Sequence, residues 1–126
     1  MILPPRSRPR RLCRAAAEPI LRELLDEAET LRGRLLDCVE KDAAALTPLA
    51  KAYAIPKDDP QRAETLEACL AAAAAPPMEV LELTGRTVEL LRGFADMGSP
   101  IAVSDAAVGA ALALAALRGA EINVRV

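Results

Sequence analysis

A small set of polar side chains in this sequence falls where the neighbouring pattern favours an apolar residue, a loop or a helix cap. The set consists of Asp42, Lys57, Ser104 with Asp105, and Asn123. A carboxylate can hold or move a proton and can stabilise a developing cation, and a nearby lysine lowers its pKa. The chain has no histidine, which excludes Ser-His and Cys-His nucleophilic catalysis.

Each of these residues also has a purely structural interpretation. Asp42 interrupts an apolar stripe and lies either at the edge of the stripe in solvent or in a cavity, as a partly buried acid. Lys57 is either a solvated loop lysine or a functional side chain of the site. Ser104 is a preferred helix cap and Asp105 suits the first turn of a helix, but a helix N-terminus is also a good place to hold a ligand. Asn123, between two apolar residues, needs hydrogen-bond partners if it is buried.

Helices are predicted to position these residues, because alanine and leucine dominate a chain with only 2% aromatic residues. Apolar residues recur in steps of three and four from Leu21 to Leu46, which predicts a long first helix beginning near Glu18–Pro19. Pro48 is expected to kink or restart this helix. The segment IPKDDP is a predicted loop in which Asp59 caps the next helix.

The rest of the chain predicts further helices separated by prolines and glycine. The predicted helices cover residues 61–75, 78–97 and about 104–118, with breaks at Pro76–Pro77 and at Gly98. The terminal EINVRV has strand propensity, but a lone strand has nothing to pair with. We therefore expect an all-α bundle of about four to five helices with a thin core, which favours a homodimer.

Composition narrows the class of protein. The 126 residues predict one helical domain over residues 18–126, preceded by a flexible Arg/Pro-rich tail over residues 1–17. A net charge of −2 gives no overall case for nucleic acid or an anionic membrane. The run Ala106–Leu117 is too short to span a bilayer, and there is no signal-peptide layout. The three cysteines have no disulfide or zinc spacing, so we expect reduced thiols in a cytoplasmic protein that needs no metal.

The order of the polar residues carries a resemblance. The run VEKDAAAL…AIPK, then Pro77, then GSPIAVSDAAVGAAL…GAEINV is similar to the cyclodeaminase/cyclohydrolase family, which includes the C-terminal domain of formiminotransferase-cyclodeaminase and the methenyltetrahydrofolate cyclohydrolases. The family pattern runs D-x-D-A, L-P-K, G-N-x4-S-D and A-x-x-N-V-x-x-N. Here Glu40 replaces the first Asp, Ser99 replaces the Asn after Gly98, and the remaining motifs fall in register over roughly residues 20–126.

Two parts of the family pattern are missing from this sequence. Family members usually begin with a helix that opens on Pro-Gly-Gly-Gly-Ser, followed by a second helix, and they continue into a long final helix. Here the Arg/Pro-rich tail stands in the first place, and the sequence stops at Val126, before the second Asn. The chain is therefore expected to be shortened at both ends relative to the family.

The resemblance implies folate one-carbon chemistry, either as a formiminotetrahydrofolate cyclodeaminase or as a methenyltetrahydrofolate cyclohydrolase, with folate as substrate and no cofactor. Our hypothesis for this chemistry is that Asp105 faces the cationic one-carbon centre, that Asp42 moves the proton and that Lys57 binds or tunes a carboxylate. Gly98, Ser104 and Asn123 would bind the folate. A formiminotransferase domain is a possible partner.

Two other classes of function remain open at this stage. One is an inactive, shortened dimerisation module of the same family, which would not bind folate. The other is a nucleic-acid accessory that uses the arginines of the tail, and it predicts binding that weakens steeply with salt.

Overall fold

The computed structural model describes residues 14–97 and 99–125, and their backbone forms three helices: α1 Arg14–Tyr53, α2 Arg62–Asp96 and α3 Pro100–Arg125. The predicted all-α class and the long first helix, 40 residues, are confirmed. The expected four to five helices are not found among the described residues. Most of the proposed tail lies outside them, and α1 begins at Arg14, ahead of the predicted start at Glu18.

The lower number of helices arises because the prolines do not interrupt the helices that contain them. Pro48 lies inside α1, and Pro76 and Pro77 lie inside α2, so the two helices expected over residues 61–75 and 78–97 are one. A proline inside a helix lacks an N–H, which leaves the carbonyls of Ala72 and Ala73 without their usual donors. Pro76 and Pro77 are buried, so tertiary packing offsets the local cost and α2 continues.

The connection between α1 and α2 is the predicted loop, but Asp59 does not cap α2: Gln61 occupies the cap position and makes no side-chain cap hydrogen bond. The Asp59 Oδ1 atom accepts a hydrogen bond from the backbone N–H of Gln61 at 2.8 Å, and α2 then begins at Arg62. The Arg62 Nε donates back to the carbonyl of Ile55 at 2.9 Å. Asp59 therefore stabilises the turn just before the helix, as its position beside Pro60 indicates.

The start of α3 differs from its prediction. The Ser99 Oγ atom accepts a hydrogen bond from the Ala102 N–H at 3.3 Å, and α3 begins at Pro100. Ser99 is therefore the cap and Pro100 the first helical residue, a combination that suits a helix start. The expectation that Ser104 caps this helix is wrong, because Ser104 and Asp105 already lie in its second turn.

Both outer helices pack on α2. Leu31 and Cys38 of α1 are buried with Leu83 of α2, and Leu35, Val80 and Leu90 surround this cluster. On the other contact, α3 buries only alanines fully, at positions 106, 113 and 120. Small side chains bury little apolar area but let two helices approach closely. The core of the chain is accordingly thin.

Ion pairs tie α1 to α2 on the outside of this core. The carboxylate of Glu79 accepts hydrogen bonds from the Arg34 Nη2 at 3.0 Å and from the Lys41 Nζ at 2.6 Å. Arg86 pairs with both carboxylate oxygens of Glu27. These partners are half exposed, so they stabilise modestly, but they fix the register of the two helices.

Large apolar side chains remain exposed on all three helices. They are Ile20, Leu21, Leu25, Leu36, Val39, Leu46, Tyr53, Leu70, Met78, Val88, Ile101, Val103, Val108, Leu112, Leu114 and Ile122. By length and composition alone α3 could also span a bilayer, a test that core helices of soluble proteins pass as well. A contiguous exposed apolar surface marks a site of interaction.

The close contact between α2 and α3 predicts unequal effects of two glycine substitutions. A Cβ added at Gly109 would lie 2.9 Å from the Leu91 Cδ2, whereas one added at Gly85 meets nothing within 4 Å. We expect Gly85→Ala to raise the free energy of unfolding by about 0.5–1 kcal/mol. We expect Gly109→Ala to lose that gain, because Leu91 must shift. Chemical denaturation of both variants measures this, and equal stabilisation would contradict the packing.

The ion pairs of Glu79 predict a pH dependence. Hydrogen bonds from Lys41 and then Arg34 lower the pKa of Glu79 from its ordinary value near 4.5. The folded pKa lies below the unfolded one, so this stabilisation is present above about pH 4.5 and is lost as the pH falls through the folded pKa. We expect Glu79→Gln to weaken the fall in Tm below pH 4.5, measured by circular dichroism. Glu23→Gln, at an exposed position of α1, is the matched control and should follow the original curve.

Candidate functional site

Two adjoining clefts open where α1 ends, α2 begins and α3 ends. The smaller has a volume of about 270 Å³ and the larger about 970 Å³. Asp42, Pro77 and Asn123 line both clefts, so the two form one continuous concave surface. Volumes of this order suit a small-molecule ligand.

Each helix contributes a different kind of side chain to this surface. From α1, Cys38 and Asp42 lie one helical turn apart, so the carboxylate sits directly beside the buried stripe. From α2, Pro76 and Pro77 form an apolar wall, and from the last turns of α3 comes Asn123. The outcome for Asp42 combines both earlier interpretations, because it is exposed and also lines the cleft.

The charge of the lining differs between the smaller and the larger cleft. Burial raises the pKa of the Cys38 thiol, and the negative charge of Glu79 raises it further, so this wall is uncharged at neutral pH. The larger cleft is lined by Glu67 and Arg125, and Arg125 pairs with Glu121 at 2.7 Å. Charged groups therefore surround an apolar interior, which is the usual composition of a ligand pocket.

Asp42 and Asn123 are the predicted site residues that the fold brings together. Lys57 is exposed in the connection between α1 and α2, at the same end of the bundle, but it lines neither of these clefts. Asp105 and Ser104 are exposed near the opposite end of α3. At about 1.5 Å per residue, Asp105 lies about 27 Å from Asn123 along the helix.

Within one chain, Asp105 is thus too far away to share a ligand with Asn123. Gly98, the remaining predicted residue, lies outside the described residues. The functional roles assigned to these side chains stay predictions.

Sequence reasoning missed part of the cleft lining. Pro76 and Pro77 were expected to end a helix. Instead, Pro77 lines both clefts and Pro76 lines the smaller one. The sequence offered one indication of this role for Pro77, because Pro77 lies between the motifs that carry the family resemblance. Tyr53 and Arg125 also line the larger cleft. Neither belongs to one of the motifs, and a basic residue such as Arg125 is common in the last turn of a helix.

The described residues contain no group of three or more His, Cys, Asp or Glu side chains that could hold a metal ion. Cys38 and Cys69 are both free thiols.

Comparison with known proteins identifies one family. The sequence model of the formiminotransferase-cyclodeaminase family matches residues 10–126. The chain is also similar to a methenyltetrahydrofolate cyclohydrolase of Methylorubrum extorquens, with 29% identity over 113 residues. That alignment covers 86% of this chain and 54% of the relative, so the chain spans about half the length of the protein it matches. No solved structure matches the chain significantly.

The cleft wall predicts unequal reactivity of the two described thiols. Cys38 is 3% exposed and its pKa is raised by burial, so little thiolate forms at neutral pH and reagents reach it slowly. Cys69 is only partly buried. We expect an alkylating reagent to label Cys69 well before Cys38 at pH 7.5, as followed by peptide mass spectrometry. Urea should abolish the difference, and equal labelling of the folded chain would contradict the described burial.

Proposed function

We propose that this chain acts in folate one-carbon metabolism as a methenyltetrahydrofolate cyclohydrolase. The chain belongs to the formiminotransferase-cyclodeaminase family, and this membership is the basis of the proposal. The observation that carries the proposal is the meeting of Asp42 and Asn123 in one cleft beside Pro77. These residues come from three motifs that are far apart in the sequence. The choice of hydrolase follows the name of the relative from Methylorubrum extorquens.

The reaction class makes specific demands on such a site. In methenyltetrahydrofolate the one-carbon bridge is bonded to two nitrogens and carries a positive charge. Water adds its oxygen to this carbon, and the bond from the carbon to one nitrogen breaks. Of the two protons of the water, one is transferred to that nitrogen and the other leaves to solvent. A preorganised carboxylate stabilises the cation and accepts a proton from the attacking water.

Asp42 is the side chain of this chain that fits the role of base. It lies at the border between the apolar wall and solvent, where water can approach a bound one-carbon bridge. The Asn123 carboxamide can donate and accept hydrogen bonds, which suits the amide-like edge of a pterin ring. Lys57 and Arg125 lie at the same end of the bundle and supply positive charge for the carboxylates of a folate tail.

A cyclodeaminase activity is the second candidate. It closes formiminotetrahydrofolate to the same cationic bridge and releases ammonia, so it needs a general acid where the hydrolase needs a general base. The family description includes this activity by name. Turnover assays with both folates distinguish the two, and failure of this chain to bind either folate in calorimetry would favour an inactive dimerisation module.

The proposed role of Asp42 predicts a loss of turnover. We expect Asp42→Asn to lower kcat for hydrolysis of methenyltetrahydrofolate by about 10²–10⁴-fold, because loss of a positioned general base costs that much. The assay follows the decay of the methenyl absorbance, with the rate in buffer alone subtracted.

A matched control uses the same substitution on the same helix. Asp37 is exposed and lines neither of the two clefts described, so Asp37→Asn should keep the original rate. Equal rates for Asp42→Asn and the original chain would contradict the role of Asp42 as the base. The helical circular dichroism of both variants confirms that they fold alike.

A further inference from the structure

Two successive prolines give α2 backbone acceptors that the helix itself does not use. In an α-helix each carbonyl accepts a hydrogen bond from the N–H four residues later. Pro76 and Pro77 lie inside α2, and proline has no N–H to donate. The carbonyls of Ala72 and Ala73 therefore each have an acceptor position that no N–H of α2 fills.

The Ala73 carbonyl borders the larger cleft. Ala73 is half-buried and lines this cleft together with Pro77, one helical turn later. A helical carbonyl points along the helix toward the nitrogen four residues on, so this carbonyl lies between two residues that both line the cleft. Ala72, in contrast, is exposed and lines neither described cleft, so water solvates its carbonyl.

Apolar side chains surround the Ala73 carbonyl. Leu70, Ala74 and Val124 line the same cleft, and Pro77 is buried. A backbone carbonyl in such surroundings costs free energy unless a donor meets it. The volume of the cleft, about 970 Å³, leaves room for a ligand that supplies this donor.

We propose that the Ala73 carbonyl is a ligand-binding group, which accepts a hydrogen bond from the 2-amino group of a pterin ring held in the larger cleft. The identity of the ring rests on the proposed function. Pro77 is then a positioning residue, because its missing N–H keeps the acceptor free. Backbone carbonyls are among the few polar groups that orient a ligand in a mostly apolar pocket.

The neighbouring groups favour a flat ring with donors along one edge. The Asn123 carboxamide lines the same cleft and both donates and accepts hydrogen bonds, and a pterin ring carries an N–H and a carbonyl oxygen next to its amino group. Tyr53 also lines this cleft, and its aromatic face can stack on a flat ring. A phosphate or carboxylate group does not suit the Ala73 carbonyl, because both partners would be acceptors.

A ring in this position also lies near the group assigned to the chemistry. Asp42 lines both clefts, so a pterin held at Ala73 occupies the same concave surface as this carboxylate. The proposed contact therefore orients the ring, whereas Asp42 acts on the one-carbon bridge.

Two folates that differ by one donor test the proposal. Folic acid carries the 2-amino group, and its 2-desamino analogue has a hydrogen atom in that place. Neither carries a one-carbon bridge, so calorimetry measures binding without turnover. We expect the original chain to bind folic acid about 3- to 10-fold more tightly than the analogue, which is the usual contribution of one hydrogen bond.

The location of the ligand has its own measurement. Tyr53 is the only tyrosine of a chain without tryptophan, so tyrosine fluorescence reports on the larger cleft alone. We expect folic acid to quench this fluorescence with the same dissociation constant as in calorimetry, after correction for absorption with free tyrosine. Calorimetric binding without quenching would place the ligand elsewhere and overturn the proposal.

Substitution of Pro77 removes the free acceptor. Pro77→Ala and Pro77→Val both restore the backbone N–H that the Ala73 carbonyl lacks, and valine also keeps an apolar side chain in the cleft wall. We expect both variants to bind folic acid about 3- to 10-fold more weakly and to bind the two folates equally.

A matched control is a proline inside another helix. Pro48 lies in α1, is exposed and lines neither described cleft, so Pro48→Ala should keep the original preference for folic acid. A purely structural role of Pro77 would weaken both folates alike in its variants, and an unchanged preference there would overturn the proposal. Equal affinity of the original chain for both folates would overturn it without any variant.

Failure of the proposed function gives a different result. A chain that binds neither folate and does not hydrolyse methenyltetrahydrofolate would refute the proposed function and this inference with it. A chain that hydrolyses methenyltetrahydrofolate but does not prefer folic acid to its 2-desamino analogue would retain the function and refute the Ala73 contact alone.

Discussion

Contact of both α1 and α3 with α2 is the constraint on which the rest of the structure depends. Leu83 of α2 completes the buried cluster on one contact, and Leu91 meets Gly109 on the other. Residues of all three helices line both clefts. Their apolar wall is the stretch where α2 passes through Pro76 and Pro77. A break at these prolines would separate Asp42 from Asn123.

The sequence predicted the helical class and the long amphipathic first helix, because both depend on local composition and periodicity. Motif order selected Asp42 and Asn123, which line the same cleft, and their roles stay predictions. The number of helices could not be predicted from the sequence. Proline rules are local, whereas burial of Pro76 and Pro77 against neighbouring helices decides whether α2 continues. The start of α3 was misplaced because Ser99 and Ser104 are both good caps, and the proline after Ser99 favours the earlier one.

Motif order predicted that Asp105 and Asn123 act together, but order along a chain says nothing about distance when both residues lie on one straight helix. Several turns of α3 lie between Asp105 and Asn123, and their side chains are too short to span that distance. The alanines at positions 106, 113 and 120 of α3 are buried, whereas Asp105 and Asn123 are both exposed.

The exposed apolar side chains of α3 have a consequence for the stability of the chain. A helix whose covered face buries only alanines fully contributes little apolar burial to the free energy of unfolding. A chain with so thin a core also exposes its apolar side chains to chaperones and proteases whenever it unfolds.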